Sequence, residues 1–499
     1  MDAGLVVGID QGTTSTRAIA FDRSWRPVAH ATRPLDTIHP APGWIELDPE
    51  AVLASVVDTL AEVVEAVGGT ARIAAVGLAN QGETVVAWDA DSGRALAPAI
   101  VWGCRRSEPI VERVRAAGLG EAIRALTGLP LDPYFSASKL TWLLEEVPAV
   151  ADAADRGTLR FGTVDAWVTA RLGTAWPGGL TDPSTASRTQ LYGLESGQWH
   201  PDLAGWFGID RRTLPAVAPT AGVAGELRHE RWGSLPLTAL ACDQQAALAG
   251  HGAFGEGDLK ATYGTGVFVL ANGGARRQPV AGLETSIAWS LPDGRMDSVL
   301  QGGVFSAGSL IDWLRDDLGL IAEAAETGAL AASVSDAAGV MVLPALGGLG
   351  APWYRSDARA VVAGLTAAAG RAHIVRATLD GIAQRVADIV ESMTAAVDGS
   401  VESIRVDGGL TANRYLLERQ ADLLGLRVEV ASMTETTALG VAGLAALGAG
   451  LCTVDDLRSA NPIDAVVAPR IGSVERLRER DRWRAFVEAA TSPGITGGA

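Results

Sequence analysis

Two turns and one carboxylate in this sequence have the residue types to move a phosphoryl group. In the stretch ACDQQAALAGHGAFGEGDLKATYGTG, Asp243 follows an apolar, strand-like run at 235–241, which leaves a carboxylate at a strand end, where it can accept a proton. Further on, Tyr263-Gly264-Thr265-Gly266 joins two short strand-like runs, 259–262 and 267–271. Its glycines let backbone N–H groups approach an anion, and Thr265 adds a hydroxyl. A similar turn, Asp10-Gln11-Gly12-Thr13-Thr14-Ser15-Thr16, lies near the start of the chain between apolar runs at 5–9 and 17–21. A Gly-Thr turn alone is most often an ordinary hairpin, and an Asp ahead of a helix is often only its cap. Two such turns, one per half, with Asp243 between them, point to a duplicated architecture that closes on a nucleotide.

The elements that must position these groups follow from pattern. Residues 1–35 read as three strands joined by tight turns. Asp48 and Pro49 are a helix cap and first position, and Val52, Val56, Leu60, Val63 and Val64 give that helix an apolar face. The run 73–79 is a strand with Asn80-Gln81-Gly82-Glu83-Thr84 at its carboxyl end, where open α/β sheets bind ligands. Residues 161–172 read as strand then helix, with Asp165 as its cap. The segment 181–190 reads as a Ser/Thr-rich loop, and 206–236 as irregular. The second half, from about residue 250, has strands at 259–263, 266–271, 284–289 and 296–300, a long helix at 373–397, a strand at 404–406, Asn413 opening another helix, and a buried helix at 438–447. The tail after residue 492 reads as disordered.

The 499 residues are 48% hydrophobic, enough for a large core and too apolar for a disordered chain. A net charge of −17 argues against nucleic acid, whose binding needs clustered Lys and Arg. Cys104, Cys242 and Cys452 are far apart and form neither a disulfide framework nor a zinc pattern. There is no signal-peptide pattern and no apolar run long enough to span a bilayer, so a cytoplasmic protein without membrane partners is expected. Lys139 and Lys260 are the only lysines, and neither lies in a P-loop context, so a nucleotide must be held some other way.

The chain resembles the FGGY carbohydrate kinases almost end to end. The resemblance rests on Asp10 to Arg17, Pro42-Gly43-Trp44-Ile45-Glu46, Ile100-Val101-Trp102 with Cys104-Arg105-Arg106, and Asp132-Pro133-Tyr134-Phe135-Ser136. It also rests on the segment 134–146 centred on Lys139 and Trp142, on 360–380, on Asp243-Gln244-Gln245, on Thr262 to Gly266 and on Arg405 to Gly409. It implies an α/β, actin-like ATPase fold: two ribonuclease-H-like domains, 1–249 for the polyol and the base and 250–499 for the nucleotide, with a central nucleotide cleft. It implies transfer of a phosphoryl group from ATP, with Mg²⁺, to a primary hydroxyl of a small polyol or sugar. Asp243 matches the general base, and Asp10 and Asp243 match the magnesium side. Gly82, Glu83, Trp102, Tyr134, Asp243, Gln244 and Phe268 fall at the polyol pocket. Thr13, Thr14, Ser15, Arg17 and Thr265 fall near the phosphates, and Gly308, Asp312, Gly409 and Asn413 near the adenosine. Homo-dimers or tetramers are implied as well.

Three departures from the family pattern stand out. Gly82 takes the place of an Arg that would donate to substrate hydroxyls, a contact worth about 1.5–3 kcal/mol. Either a longer polyol fills the freed space, or Arg105 or water substitutes and glycerol remains the acceptor. The segment 231–236 lacks the Gly-rich pattern that binds fructose 1,6-bisphosphate, so inhibition by that compound is not expected. Asp312 stands where Gln is expected near adenine. A reading of another class, a catalytically silent actin-like sensor, has no need of Asp10, Asp243 and Thr265 together with an aromatic pocket.

Overall fold

The computed structural model describes residues 4–174 and 178–492; the tail read as disordered lies outside the described residues. Two large sheets organise the chain. The first runs in the order Ala221–His229, Gly233–Cys242, Ile73–Asn80, Leu5–Gln11, Ser15–Phe21, Pro27–Pro34. Its three central strands are parallel and the rest pair antiparallel. The second runs Glu284–Ser290, Met296–Val304, Val267–Asn272, Leu259–Tyr263, Ser403–Asp407, Arg427–Ala431, Ile463–Val467. Here Leu259–Tyr263 again pairs antiparallel with the next strand and parallel with a later one. The repeated plan is the one expected of two ribonuclease-H-like units.

The central strands are buried on both faces, and their alternation assigns each residue to a layer. Leu5, Val7 and Ile9 meet Val52, Val56 and Leu60 of helix Pro49–Ala66. That helix starts as expected, with Asp48 accepting from the N–H of Glu50 at 3.0 Å and Pro49 at its first position. Val6 and Ala75 face the other way, into a cluster with Leu439, Val441 and Ala442 of helix Thr436–Gly448. By sequence that helix belongs to the second half, yet it packs on the first sheet and on helix Asp243–Gly250. The approach is close enough that a Cβ at Gly8 would overlap the carbonyl of Ala438, and one at Gly440 the carbonyl of Ala246. Glycine is required at both positions by contact.

A smaller sheet, Glu46–Leu47, Ala99–Ile100, Val85–Asp89, Leu159–Thr163, extends the first half and carries the loops around Glu83, Trp102 and Tyr134. Three local expectations are corrected. The segment read as irregular contains the edge strand Ala221–His229, whose half-exposed side chains give weak alternation. The Ser/Thr-rich stretch is a buried short helix, Pro183–Ala186, capped by Asp182, followed by Arg188. Asp165 is not a cap: Thr163 holds that position, and Asp165 is buried, accepting from the Thr163 hydroxyl at 2.5 Å, the Thr181 hydroxyl at 2.7 Å and the Ala166 N–H at 2.9 Å.

Candidate active site

The register of the first sheet brings the two expected aspartates to one edge. Leu5–Gln11 and Gly233–Cys242 both lie parallel to Ile73–Asn80, with Asp10 opposite Ala79 and Cys242 opposite Asn80. Asp243 is therefore the first residue of helix Asp243–Gly250 rather than the last of the strand. Its Oδ1 accepts from the N–H of Gln244 at 2.6 Å and faces the thiol of Cys242 at 3.6 Å. Burial raises the Asp243 carboxyl, and burial together with the charge of Asp243 pushes Asp10 up to about 7. Among the described residues no cluster of three or more His, Cys, Asp or Glu offers a protein-only metal cage. Two hard carboxylates that leave positions for water and phosphate oxygens suit Mg²⁺.

Beside Asp243 the small sheet builds a polar, aromatic pocket. Trp102 and Tyr134 pack with ring centroids 5.4 Å apart, and Tyr134 meets Phe135 edge-on at 5.2 Å. Lys139 fixes this loop from beneath. Its buried Nζ donates to the carbonyl of Pro133 at 2.6 Å, to that of Tyr134, and to that of Phe135 at 3.2 Å. Glu83 is buried, and Arg188 donates to it through Nε at 2.6 Å. Burial raises the Glu83 carboxyl while Arg188 opposes that rise. Gln244 accepts from Nζ of Lys260, on the second sheet, at 2.8 Å. Phe268 reaches from the second sheet into the cluster containing Ala79, Ala241 and Ala246.

The two turns are built differently. In the first, the Thr13 hydroxyl donates to Gln81 at 3.0 Å and accepts from the indole of Trp102 at 2.9 Å, so it ties the turn to the pocket wall. Thr14 is exposed at the tip, and Ser15 begins the next strand. Arg17 pairs with Glu435, just before helix Thr436–Gly448. In the second turn Thr265 is exposed, and helix Gly308–Asp316 starts directly against it. The N–H of Gly308 donates to the Gly264 carbonyl at 3.1 Å, and that of Ser309 to the Thr265 carbonyl at 3.1 Å. Gly408, at φ +95°, lies so close to Tyr263 that a Cβ would overlap its carbonyl, which brings Gly409 beside the same turn. Gly409 and Asn413 line a cavity of about 490 Å³ with Ala324, Gly328 and Leu410. Asn413 caps its helix, accepting from the Leu416 N–H at 3.1 Å, and donates to Thr327 at 2.9 Å.

Comparison with known proteins decides the family. Residues 5–250 match the N-terminal domain, and residues 259–449 the C-terminal domain, of the FGGY family of carbohydrate kinases. This chain belongs to the FGGY carbohydrate kinases. It is 42% identical to a glycerol kinase of Symbiobacterium thermophilum, over 98% of this chain and 99% of that one. It is also 42% identical to a glycerol kinase of Shewanella amazonensis, over 99% and 100% of the two chains. The crystal structure of Plasmodium falciparum glycerol kinase with ADP superposes with a TM-score of 0.92 at 31% identity, covering 98% of this chain and 99% of that one. The actin-like, two-unit α/β fold and an ATP-dependent kinase activity on an alcohol follow from this membership.

Within this FGGY kinase, Asp312 and Gly82 have neighbours that sequence spacing does not show. Asp312 points along its own helix to Arg315 at 3.0 Å, is about half exposed, and is not among the residues lining the Gly409–Asn413 cavity. Beside Gly82, a Cβ would stand 3.1 Å from Sγ of Cys242, so that sulfur borders the position an Arg side chain would occupy. Arg105, weighed as a substitute for the missing Arg, pairs instead with Glu108 in solvent. The sequence reading also missed a residue of the kinase. Arg188 is 1% exposed, pairs with Glu83, and holds Glu284 of the second sheet at 2.9 Å. Its only sequence signal was an Arg inside a run of Ser and Thr.

Proposed function

We propose that this kinase transfers the γ-phosphoryl group of MgATP to a terminal hydroxyl of glycerol, giving glycerol 3-phosphate and ADP. The observation that carries the reading is the place of Asp243, at the sheet edge between the Glu83–Trp102–Tyr134–Gln244 pocket and Asp10. The kinship to glycerol kinases along the whole chain supports the same acceptor.

In this reading Glu83 and Gln244 orient the hydroxyls and the aromatic rings cover the carbon chain. Asp243 takes the hydroxyl proton as its oxygen attacks phosphorus in line and the bond to the departing ADP oxygen breaks. Such transfer depends on positioning and charge neutralisation more than on covalent chemistry. Asp10 and Asp243 would hold Mg²⁺, which supplies neutralising charge at the phosphates. The backbone of the 12–15 turn, Thr14, Arg17, Thr265 and the start of helix Gly308–Asp316 would face the phosphates. The Gly409–Asn413 cavity would take the adenosine. The division of labour is then 1–249 for the acceptor and 250–499 for the nucleotide.

The test is ADP release with MgATP against glycerol, erythritol, threitol, ribitol, xylitol, arabinitol and xylulose, alongside Asp243→Asn. Glycerol should have the highest kcat/KM. Losing a general base should lower kcat by about 10²–10⁴-fold while ADP binding persists. A different preferred acceptor, or an Asp243→Asn enzyme as fast as wild type, would overturn the reading.

A further inference from the structure

Gly82 and Cys242, the residues just before Glu83 and Asp243, meet each other. Gly82 sits at φ +61°, and the Sγ of Cys242 is the sole atom within 4 Å of a Cβ built on it. At 3.1 Å that separation is tighter than ordinary van der Waals contact, so a side chain at 82 would press on the sulfur. Neither backbone is free to move aside. Cys242 is held in register with Asn80, and its N–H donates to the Ser184 hydroxyl at 2.8 Å. The N–H of Gly82 donates to the Asn80 side chain at 3.1 Å. The thiol is 2% exposed and lies 3.6 Å from Oδ1 of Asp243, so the sulfur adjoins the proposed base.

We propose that Cys242 supplies the pocket wall that Gly82 lacks, and that the two residues together set the length of polyol accepted. The inference rests on the polyol-kinase reading above. Removing the sulfur opens volume beside Gly82, into which a longer acceptor extends. Adding a side chain at 82 forces the sulfur out of its place.

The experiment measures kcat/KM for glycerol and erythritol in wild type, Cys242→Ala, Cys242→Ser, Gly82→Arg and the double variant Gly82→Arg/Cys242→Gly. ADP binding and thermal melting report on folding. Cys242→Ala should raise the erythritol-to-glycerol ratio by about tenfold, the scale of discrimination by roughly one carbon unit in a pocket. Cys242→Ser, of similar volume, should keep the wild-type ratio. Gly82→Arg should lose at least about tenfold on glycerol, and the double variant, which keeps the backbone strain at φ +61° but not the clash with sulfur, should regain part of that loss. Should Cys242→Ala fail to fold, Cys242→Val tests the wall from the other side, and its ratio should fall below wild type. An unchanged ratio in the folded Cys242 variants, or equal activity of Gly82→Arg with and without the sulfur, overturns the inference. A wild-type enzyme that ignores glycerol strikes the glycerol assignment instead. The same ratio, measured between its actual acceptor and the homologue one carbon longer, then decides the wall.

Discussion

The guanidinium of Arg188 lies between two carboxylates from opposite halves of the chain: Nε is 2.6 Å from Oε1 of Glu83, and Nη2 is 2.9 Å from Oε2 of Glu284. All three groups are held out of solvent, with side-chain exposures of 1%, 6% and 18%. The same guanidinium lies 5.2 Å from the ring centroid of Phe135 and 5.9 Å from that of Tyr134. Arg188 thus fixes Glu83, which the proposed reading places at the acceptor, and joins it to the second sheet.

Arg188→Met should be strongly destabilising, because it leaves buried Glu83 and part-buried Glu284 without their cation. Breaking a buried ion pair from one side costs about 3–5 kcal/mol. Denaturant unfolding checks this. Arg188→Lys keeps the charge but loses the fork, and should fall between the two. A folded Arg188→Lys enzyme should raise KM for the acceptor more than KM for ATP.

Lys139 makes a second prediction through three successive carbonyls. Lys139→Met strands the carbonyls of Pro133, Tyr134 and Phe135, each at a cost of about 1–3 kcal/mol if no water enters. The loop carrying Tyr134 should loosen. Steady-state kinetics should show acceptor KM rising while ATP KM stays within about twofold. An equal change in both would place the damage elsewhere.

A pH dependence of stability follows from His251 and Asp407, whose Nε2 and Oδ2 stand 3.1 Å apart, with the Thr436 hydroxyl donating to the same oxygen at 2.6 Å. Burial holds His251 below its usual 6.5, against the opposing pull of Asp407. Asp407 stays below its usual value although burial pushes it up, because His251 and Lys260 pull it down. Both folded-state values are depressed, so the unfolded chain takes up the extra protons. Stability from this pair is present above about pH 6.5 and is lost as pH falls, first through His251 and then through Asp407. The melting temperature should therefore drop between pH 7 and pH 5. His251→Gln, which keeps an N–H donor, should flatten that slope.

Fructose 1,6-bisphosphate should leave the activity unchanged. Arg231, the basic residue of the segment that lacks the Gly-rich pattern, is engaged with Asp58 of helix Pro49–Ala66. Inhibition in an activity titration would contradict this.

What the sequence made legible was local. The Asp10–Thr16 turn, the Tyr263–Gly266 turn, the capped helix at Asp48 and the Asn413 cap all follow from residue type and spacing. The misses are long-range. Arg188 gains its meaning from Glu83 and Glu284, neither near it in sequence. The edge strand Ala221–His229 hides its pattern because one face is solvated. Thr13 has the right type for a phosphate turn, yet its hydroxyl is committed to Trp102 and Gln81. Nothing in sequence spacing shows that the sulfur of Cys242 stands against Gly82.

The close seating of helix Thr436–Gly448 on the first sheet also bears on how the chain is made. The first 250 residues leave the ribosome long before that helix exists, and until then the sheet face around Gly8, Val6 and Ala75 lacks the cover it gives. The half of the chain that is synthesised first is thus completed by a segment synthesised near the end. A nascent chain stalled before residue 436 holds an unfinished first half with an exposed apolar face, a natural substrate for chaperones.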